Sequence, residues 1–575
     1  MNDTQIARPA PERQNRWESA AWLFLVGVVL SQPLLRFVLS AFLERGAAFV
    51  VVHTMPFVLQ LGFCAAFLVA RRQKAITVPL LSRNLWLTIA FWLLVAALSI
   101  VFSPHPYIAL TRQFVWIEAG LFLVLAYAFF RAFPERKEMI LKLIWIGGLA
   151  YGLLLLAYMY QIGIGTFGDD PPRAPPGFGN VRHFGYYLSI VIVAGMAPTL
   201  RGEFKWNSAA GWALFAGLVF IWSLAAWAGG RAPYFALGLG FLILVLMRRL
   251  PRPGVLAGFA FAAAFGGGLL SLLYPLPTSD YGFLRILGIE GPGFFTDLNT
   301  LSTNRILMWQ TAFHVIDQRP FYGFGPDLFP FEIGSYFSVF AQPHNFVVQF
   351  VLAWGFAGSI AMLVILAVAV RGAIGAGAET PGADTVIWKT AGAGVIVLML
   401  FGLVDGTLYH QVPLSMLIVF LALAASAKVR LREQQLQRRG WLIGALAAVG
   451  FVLFFHGLSI YAFRTSGTPE PNSNRIHIIQ TFPSSMWAFD GPLVLARWAD
   501  RWREENEEDS LDLLRWAAGY ARNEEIRHLL LARVDYIRGD VVAARRRLDL
   551  AKESPRGYVL PLIEEVQSRY DPEYE

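Results

Sequence analysis

"PHNFVVQFVLAWGFAG", residues 343–358, begins with a proline, a histidine and an asparagine and then runs apolar for the length of a membrane span. Two glycines, Gly355 and Gly358, lie three apart inside it. About 20 apolar residues cross a bilayer as a helix, and runs of that length recur from the N-terminus to about residue 462. Only 15% of the 575 residues are charged and 56% are hydrophobic, whereas soluble chains carry roughly a quarter charged residues. The fold class is therefore all-α, a polytopic helical membrane protein. Cys64, the single cysteine, lies inside an apolar run, so no intramolecular disulfide is available. Residues 1–19 are polar and the first apolar run is too long for a signal-peptide core, which predicts no cleavable leader.

Thirteen spans are expected, at about 20–42, 47–70, 84–103, 113–131, 139–160, 184–200, 208–228, 232–249, 254–275, 344–370, 388–405, 411–427 and 440–462. Alternate loops differ in charge. "RRQK" (71–74), "RAFPERKEMILK" (131–142), "RGEFK" (201–205), "RRLPR" (248–252) and "KVRLREQQLQRR" (428–439) are basic. The positive-inside rule makes these loops and the N-terminus cytoplasmic. The chain then divides into a cytoplasmic segment (1–19), nine spans (20–275), a long outward loop (276–343), four spans (344–462) and an outward tail (463–575). The net charge of +8 is accounted for by topology, which argues against a nucleic-acid partner and for the lipid bilayer as the surrounding medium.

Lysines before the tail fall at cytoplasmic positions, while the outward loops carry arginines, among them Arg112, Arg182, Arg231, Arg285, Arg305 and Arg319. Guanidinium groups grip phosphate oxygens bidentately and keep their charge. The nine histidines fall on the outer side or in the tail. The tail alternates helical periodicity with Gly-Asp breaks. Its stretch 524–555 is similar to one tetratricopeptide-like helix pair, with Gly539 at the turn and Pro555 after it; a plain helical cap fits equally well.

Five outward clusters carry the candidate chemistry. A helix starting near Pro343 places His344 at its N-terminus, and 100° per residue sets Gly355 and Gly358 on the histidine's face. Small residues on one face admit a neighbouring helix, which would bury His344 against protein; an interfacial anchor is the plainer reading. "AWAGGRAPYF" (226–235) sets Arg231 beside a glycine pair, a site for an anion or for an arginine snorkelling to lipid phosphate. "NRILMWQTAFHVIDQRPFYGFGPDLF" (304–329) spaces Arg305, Trp309 and Ala312 on one face of an amphipathic surface helix before a Gly/Pro turn. "PPGFGNVRHFGYYLS" (175–189) contributes Arg182 and His183, and "VDGTLYHQVPLS" (404–415) contributes Asp405 and His410. Asp405 reads either as a span-end cap or as a charge partner for an arginine. There is no P-loop to drive ATP-dependent transport, and no HExxH or Cys/His cluster suggests zinc, so no metal or cofactor is expected. A transporter is the alternative of another class, although the polar clusters sit on one face and no charged relay lies at mid-depth.

These segments resemble a known superfamily. "HNFVVQFVLAWGFAG" fits the His-Asn, nine residues, Gly-x-x-Gly pattern of bacterial O-antigen ligases. "GGRAPYF", "NRILMW…RPFYGFG" and "GNVRHFGYYLS" are similar to other segments of the group that unites those ligases with O-antigen polymerases and O-linked protein oligosaccharyltransferases. The resemblance covers about 175–415. It implies a GT-C type glycosyltransferase in the bacterial inner membrane, acting on the periplasmic face and moving a glycan from undecaprenyl pyrophosphate to an acceptor hydroxyl. The acceptor would be a lipid A core sugar, as in the ligases, or alternatively a growing glycan or a protein. The resemblance implies that His344 is the general base, that Arg231 and Arg305 hold the pyrophosphate with Arg182 as a further contact, and that no metal is used. Asn345, Asp405, His183, His410 and Arg319 are supporting candidates. The extended tail departs from compact ligases and is familiar from the protein-glycosylating branch.

Overall fold

The computed structural model describes residues 16–30, 34–35, 37, 45–162, 175–178, 181–200, 205–247, 252–274, 276, 282–287, 305–332, 342–375, 383–427, 433–436, 439–464, 469–471, 473–483, 491–503, 506–521, 524–552, 559–571 and 573. Helices α1 (Arg16–Leu30) and α2 (Arg45–Ala70) precede a short strand, β1 (Ile76–Pro79). Next come α3 (Arg83–Val101), α4 (Pro106–Ala132), α5 (Glu135–Ile162) and α6 (Val181–Gly195), with α7 (Ala197–Leu200) continuing α6. Helices α8 (Ala209–Trp227), α9 (Ala232–Leu246) and α10 (Pro253–Ser271) complete the first part of the bundle. The long loop holds α11 (Phe283–Ile286), α12 (Arg305–Ile316) and α13 (Phe329–Glu332). The chain re-enters the bundle through α14 (Phe346–Ile374), α15 (Ala383–Val404) and α16 (Gln411–Ser426), then, after β2 (Glu433–Leu436), α17 (Gly440–Arg464). The tail adds α18 (Asn474–Thr481), α19 (Gly491–Trp502), α20 (Glu507–Gly519), α21 (Glu524–Ile537), α22 (Val541–Lys552) and α23 (Val559–Tyr570).

Among the described residues nine helices are long and apolar enough to cross a membrane, and three shorter apolar helices stand beside them. With α1, every predicted span meets a helix; the C-terminal part of the first span lies mostly outside the described residues. Helix α16 is buried along nearly its whole length and packs on α4 and α15, as expected of a helix that is hydrophobic all round. Outer helices instead expose large apolar side chains, such as Leu87, Phe91 and Leu94 on α3 or Phe451 and Phe454 on α17. A bilayer, not water, is the medium those faces suit.

Among the described residues, the basic stretches 71–74 and 131–142 come together at one end of the bundle. There β1 pairs antiparallel with β2, Ile76 opposite Leu436, a ribbon that an all-α reading leaves out. Glu433 of β2 pairs with Arg131 at 2.6 Å, and buried Lys137 reaches Asp384 at 3.1 Å. The opposite end carries His344 and, among the described residues, α12, α13 and the start of α4 with tail residue Tyr520 packed on them. On that end His105 lies between Phe331, 4.7 Å away, and tail residue Tyr520, 5.0 Å away, by ring centroids. Helices α21 and α22 form a hairpin turned at Gly539, whose φ is 80°; Pro555 lies outside the described residues.

The opening stretch departs from its helical expectation twice. Helix α14 starts at Phe346, capped by Asn345, so Pro343 and His344 precede the helix. Inside α14, Gly355 has φ 63° and interrupts the helix. The two glycines therefore do not share a helical face with His344. Gly358 admits α3 closely, since a Cβ there would lie 2.9 Å from Val95. Gly355 serves another purpose: it opens the backbone to the turn 320–325. Phe324 N donates to Leu352 O and Gly325 N to Ala353 O, both at 2.9 Å, while Phe356 N donates to Pro320 O at 2.7 Å. The groups that the break removes from the helix ladder are thus satisfied by the turn that follows α12.

Candidate active site

Asn345 has extended backbone, and its Oδ1 accepts from Val347 N at 2.9 Å and Val348 N at 3.2 Å, which starts α14. Its Nδ2 donates to Leu403 O at 3.0 Å, tying that start to the end of α15. The residue before it, His344, is left-handed, with φ 52°. The same short segment is gripped from two more sides. Trp309 Nε1 on α12 donates to Pro343 O at 2.7 Å, and the Gln342 amide meets His410 Nε2 at 2.7 Å.

This turn delivers the imidazole to Asp405, which directly follows α15. His344 Nδ1 lies 2.6 Å from Asp405 Oδ1. Gly406 N donates to the same oxygen at 2.8 Å, and Arg305 Nη2 stands 3.3 Å from Oδ2. Asp405 is buried, with 2% of its side chain exposed, so its charge is compensated within this cluster. A carboxylate only accepts, so His344 donates from Nδ1 and its Nε2 carries the lone pair. Arg305 spends a single, long contact on Asp405, and its buried Nε has no hydrogen-bond partner among the described residues.

Arg231 sits in a second cluster, at the cap of α9. Its Nη2 donates to Arg285 O at 3.1 Å. Partial burial and the neighbouring Arg285 charge lower its pKa from the usual arginine value, the signature of two cations brought close, where an anion would be welcome. The clusters are joined through α6. A Cβ at Gly185 would lie 3.1 Å from Pro233 of α9. Two residues earlier on α6, the His183 ring lies 3.8 Å from that of His410, which bonds Gln342.

The predicted residues therefore divide. His344, Asp405 and Arg305 meet directly, Asn345 is bonded beside them to Leu403 O, and His410 and His183 extend from Gln342. Arg319 does not join: it donates to Phe102 O at 2.5 Å and lies over the Phe324 ring at 4.8 Å, bracing the 320–325 turn against α3. The Arg182 side chain lies outside the described residues. Sequence reasoning passed over Gln342, two residues before His344, and the anchoring role of Trp309, one turn from Arg305. Among the described residues no group of His, Cys, Asp or Glu is placed to hold a metal ion.

Fold and site together define a multi-pass helical membrane protein with a His–Asp–Arg cluster at one end. Residues 212–363 match the family model described as O-antigen ligase, which supports the superfamily of O-antigen ligases and polymerases and glycosyltransferase activity of that general type. No curated protein matches the chain. The matched segment contains Arg231, Arg305 and His344 and ends before Asp405.

Proposed function

We propose that the protein transfers a glycan en bloc from undecaprenyl pyrophosphate to an acceptor hydroxyl at the periplasmic face of the inner membrane, most closely in the manner of an O-antigen ligase. The observation that carries this reading is the 2.6 Å contact between His344 Nδ1 and Asp405, in a chain whose 212–363 segment matches that family. Arg305 and Arg231 hold the donor pyrophosphate. His344 Nε2 takes the acceptor hydroxyl proton as the oxygen attacks the anomeric carbon. The bond from that carbon to the phosphate oxygen breaks on the opposite side, the electron pair leaves with the pyrophosphate, and configuration inverts. Asp405 holds the ring in its Nδ1–H tautomer and stabilises the imidazolium that forms. The guanidinium groups offset the leaving group's charge.

The test is glycan transfer by purified protein in lipid nanodiscs. His344→Ala is expected to remain folded and to lose transfer, and wild-type transfer by that variant overturns the assignment. The tail supports a second reading, transfer to protein, because Tyr520 packs onto the outer loop that carries Arg305. Gene deletion with gel analysis of surface glycan separates the two. Loss of a ligase strips the ladder from the lipid core, loss of a polymerase leaves one repeat unit, and loss of a protein transferase spares both.

A further inference from the structure

Asp405 holds the side chains of both His344 and Arg305, and the two contacts are unequal. Its Oδ1 holds His344 at 2.6 Å, whereas Arg305 makes one contact of 3.3 Å to Oδ2. A guanidinium offers five N–H donors in a planar fork that suits two oxygens at once. Here Nη2 alone reaches the carboxylate and Nε is buried without a partner among the described residues. A phosphate, with three oxygens, satisfies that fork better than Asp405 does.

The backbone around Arg305 is meanwhile held. One turn along α12, Trp309 is bonded to Pro343 O at 2.7 Å, so a change of partner at Arg305 needs only its side chain to move. Among the described residues, the titratable groups nearest this point from the packed elements include Tyr409, His410, bonded to Gln342, and His183 behind it. Arg112 pairs with Asp327 at 3.0 Å.

We propose that the lipid donor switches His344 on: its pyrophosphate draws Arg305 off Asp405, so that the guanidinium no longer competes with His344 for the carboxylate's charge. This rests on the donor and base roles given above. Without donor, the Arg305 charge offsets Asp405 and disfavours an imidazolium beside it. With donor bound, that charge is spent on phosphate, and the imidazolium formed by proton abstraction is stabilised. The base is therefore strongest only when a glycan is ready to be transferred, which makes donor binding precede acceptor activation.

The test needs no turnover. Full-length protein labelled with ¹³Cε1-histidine is titrated with and without undecaprenyl pyrophosphate, and the His344 resonance is assigned by its loss in His344→Gln. The lipid complex is also imaged by cryo-electron microscopy. The His344 ¹³Cε1 signal is expected to move on lipid binding, and in Arg305→Gln to lie near that lipid-bound position already without lipid. In the images Arg305 should sit on phosphate, away from Asp405. Lipid-bound protein with Arg305 still on Asp405 overturns the proposal, as does an Arg305→Gln signal that stays at the lipid-free wild-type position. If Arg305→Gln does not fold, the two wild-type measurements still decide. Failure of the lipid to bind overturns this proposal and the donor reading together, whereas Arg305 staying on Asp405 overturns the switch alone.

Discussion

His344 holds a left-handed backbone, φ 52°, which costs a non-glycine residue about 1–2 kcal/mol. Such strain persists where the surroundings over-determine it, and here Trp309, Gln342 and Asn345 each fasten a neighbour of His344. The conformation aims Nδ1 at Asp405. Asp405→Asn is therefore expected to keep the shape of the site while losing the tautomer and the counter-charge. Transfer should fall by about 10²-fold or more, read as single-turnover kcat with elution on size exclusion unchanged. Asn345→Ala removes the cap of α14 and the tie to Leu403; about 1 kcal/mol of stability should be lost, measured as a lower unfolding midpoint in detergent. His344 and Asp405 were legible as polar residues at span ends, and Arg305 as a residue of an amphipathic helix in the long loop. What sequence left open was whether Asp405 capped a span or paired with an arginine. Its partners lie 61 and 100 residues away, and nothing local in "VDGT" encodes them.

The elements bring these residues together through the break in α14. A helix uninterrupted at Gly355 would keep the carbonyls of Leu352 and Ala353 for itself. Because Gly355 steps out of helical geometry, those carbonyls take the turn 320–325, and that turn fixes the end of α12, which carries Arg305. Gly355→Ala should be far more damaging than its size suggests. A Cβ there would lie 2.3 Å from the Phe321 carbonyl carbon, on a backbone at φ 63°. Strain and crowding each cost about 1–3 kcal/mol, so a marked drop in thermal midpoint is expected, together with loss of transfer although no catalytic atom has changed. Glycines at 323, 325 and 355 were visible in the sequence, and so was the turn. Helical spacing nevertheless put Gly355 on the wrong face, because a 100° step holds only while the helix does.

At the scale of the molecule, the two basic stretches that are described in full, 71–74 and 131–142, come together with β2, as the charge pattern of the loops led one to expect. The ribbon of β1 with β2 was not legible, because pairing four residues with a strand more than 350 positions away is a tertiary event. Nor was the joint that seats the tail, where His105 lies between Phe331 and Tyr520. Two titrating groups at that joint pull in opposite directions. Burial lowers the His105 pKa from its ordinary 6.5, so the unfolded chain binds the proton more readily, and the joint weakens as pH falls below 6.5. Glu332, next to Phe331, is raised by burial to about 7, with Arg319 partly opposing. Its folded form binds the proton more readily, so its contribution is present at low pH and is lost as pH rises from about 4.5 through 7. In wild type the two offset between these limits, and hydrogen-exchange protection of α20 and of the start of α4 should change little from pH 7.5 to 5.5. Removing one group exposes the other. Over the same range His105→Phe should gain protection, because only Glu332 still titrates, and Glu332→Gln should lose it, because only His105 does. Both variants moving in the same direction would mean that the joint between the tail and the outer loop is not where these two groups act.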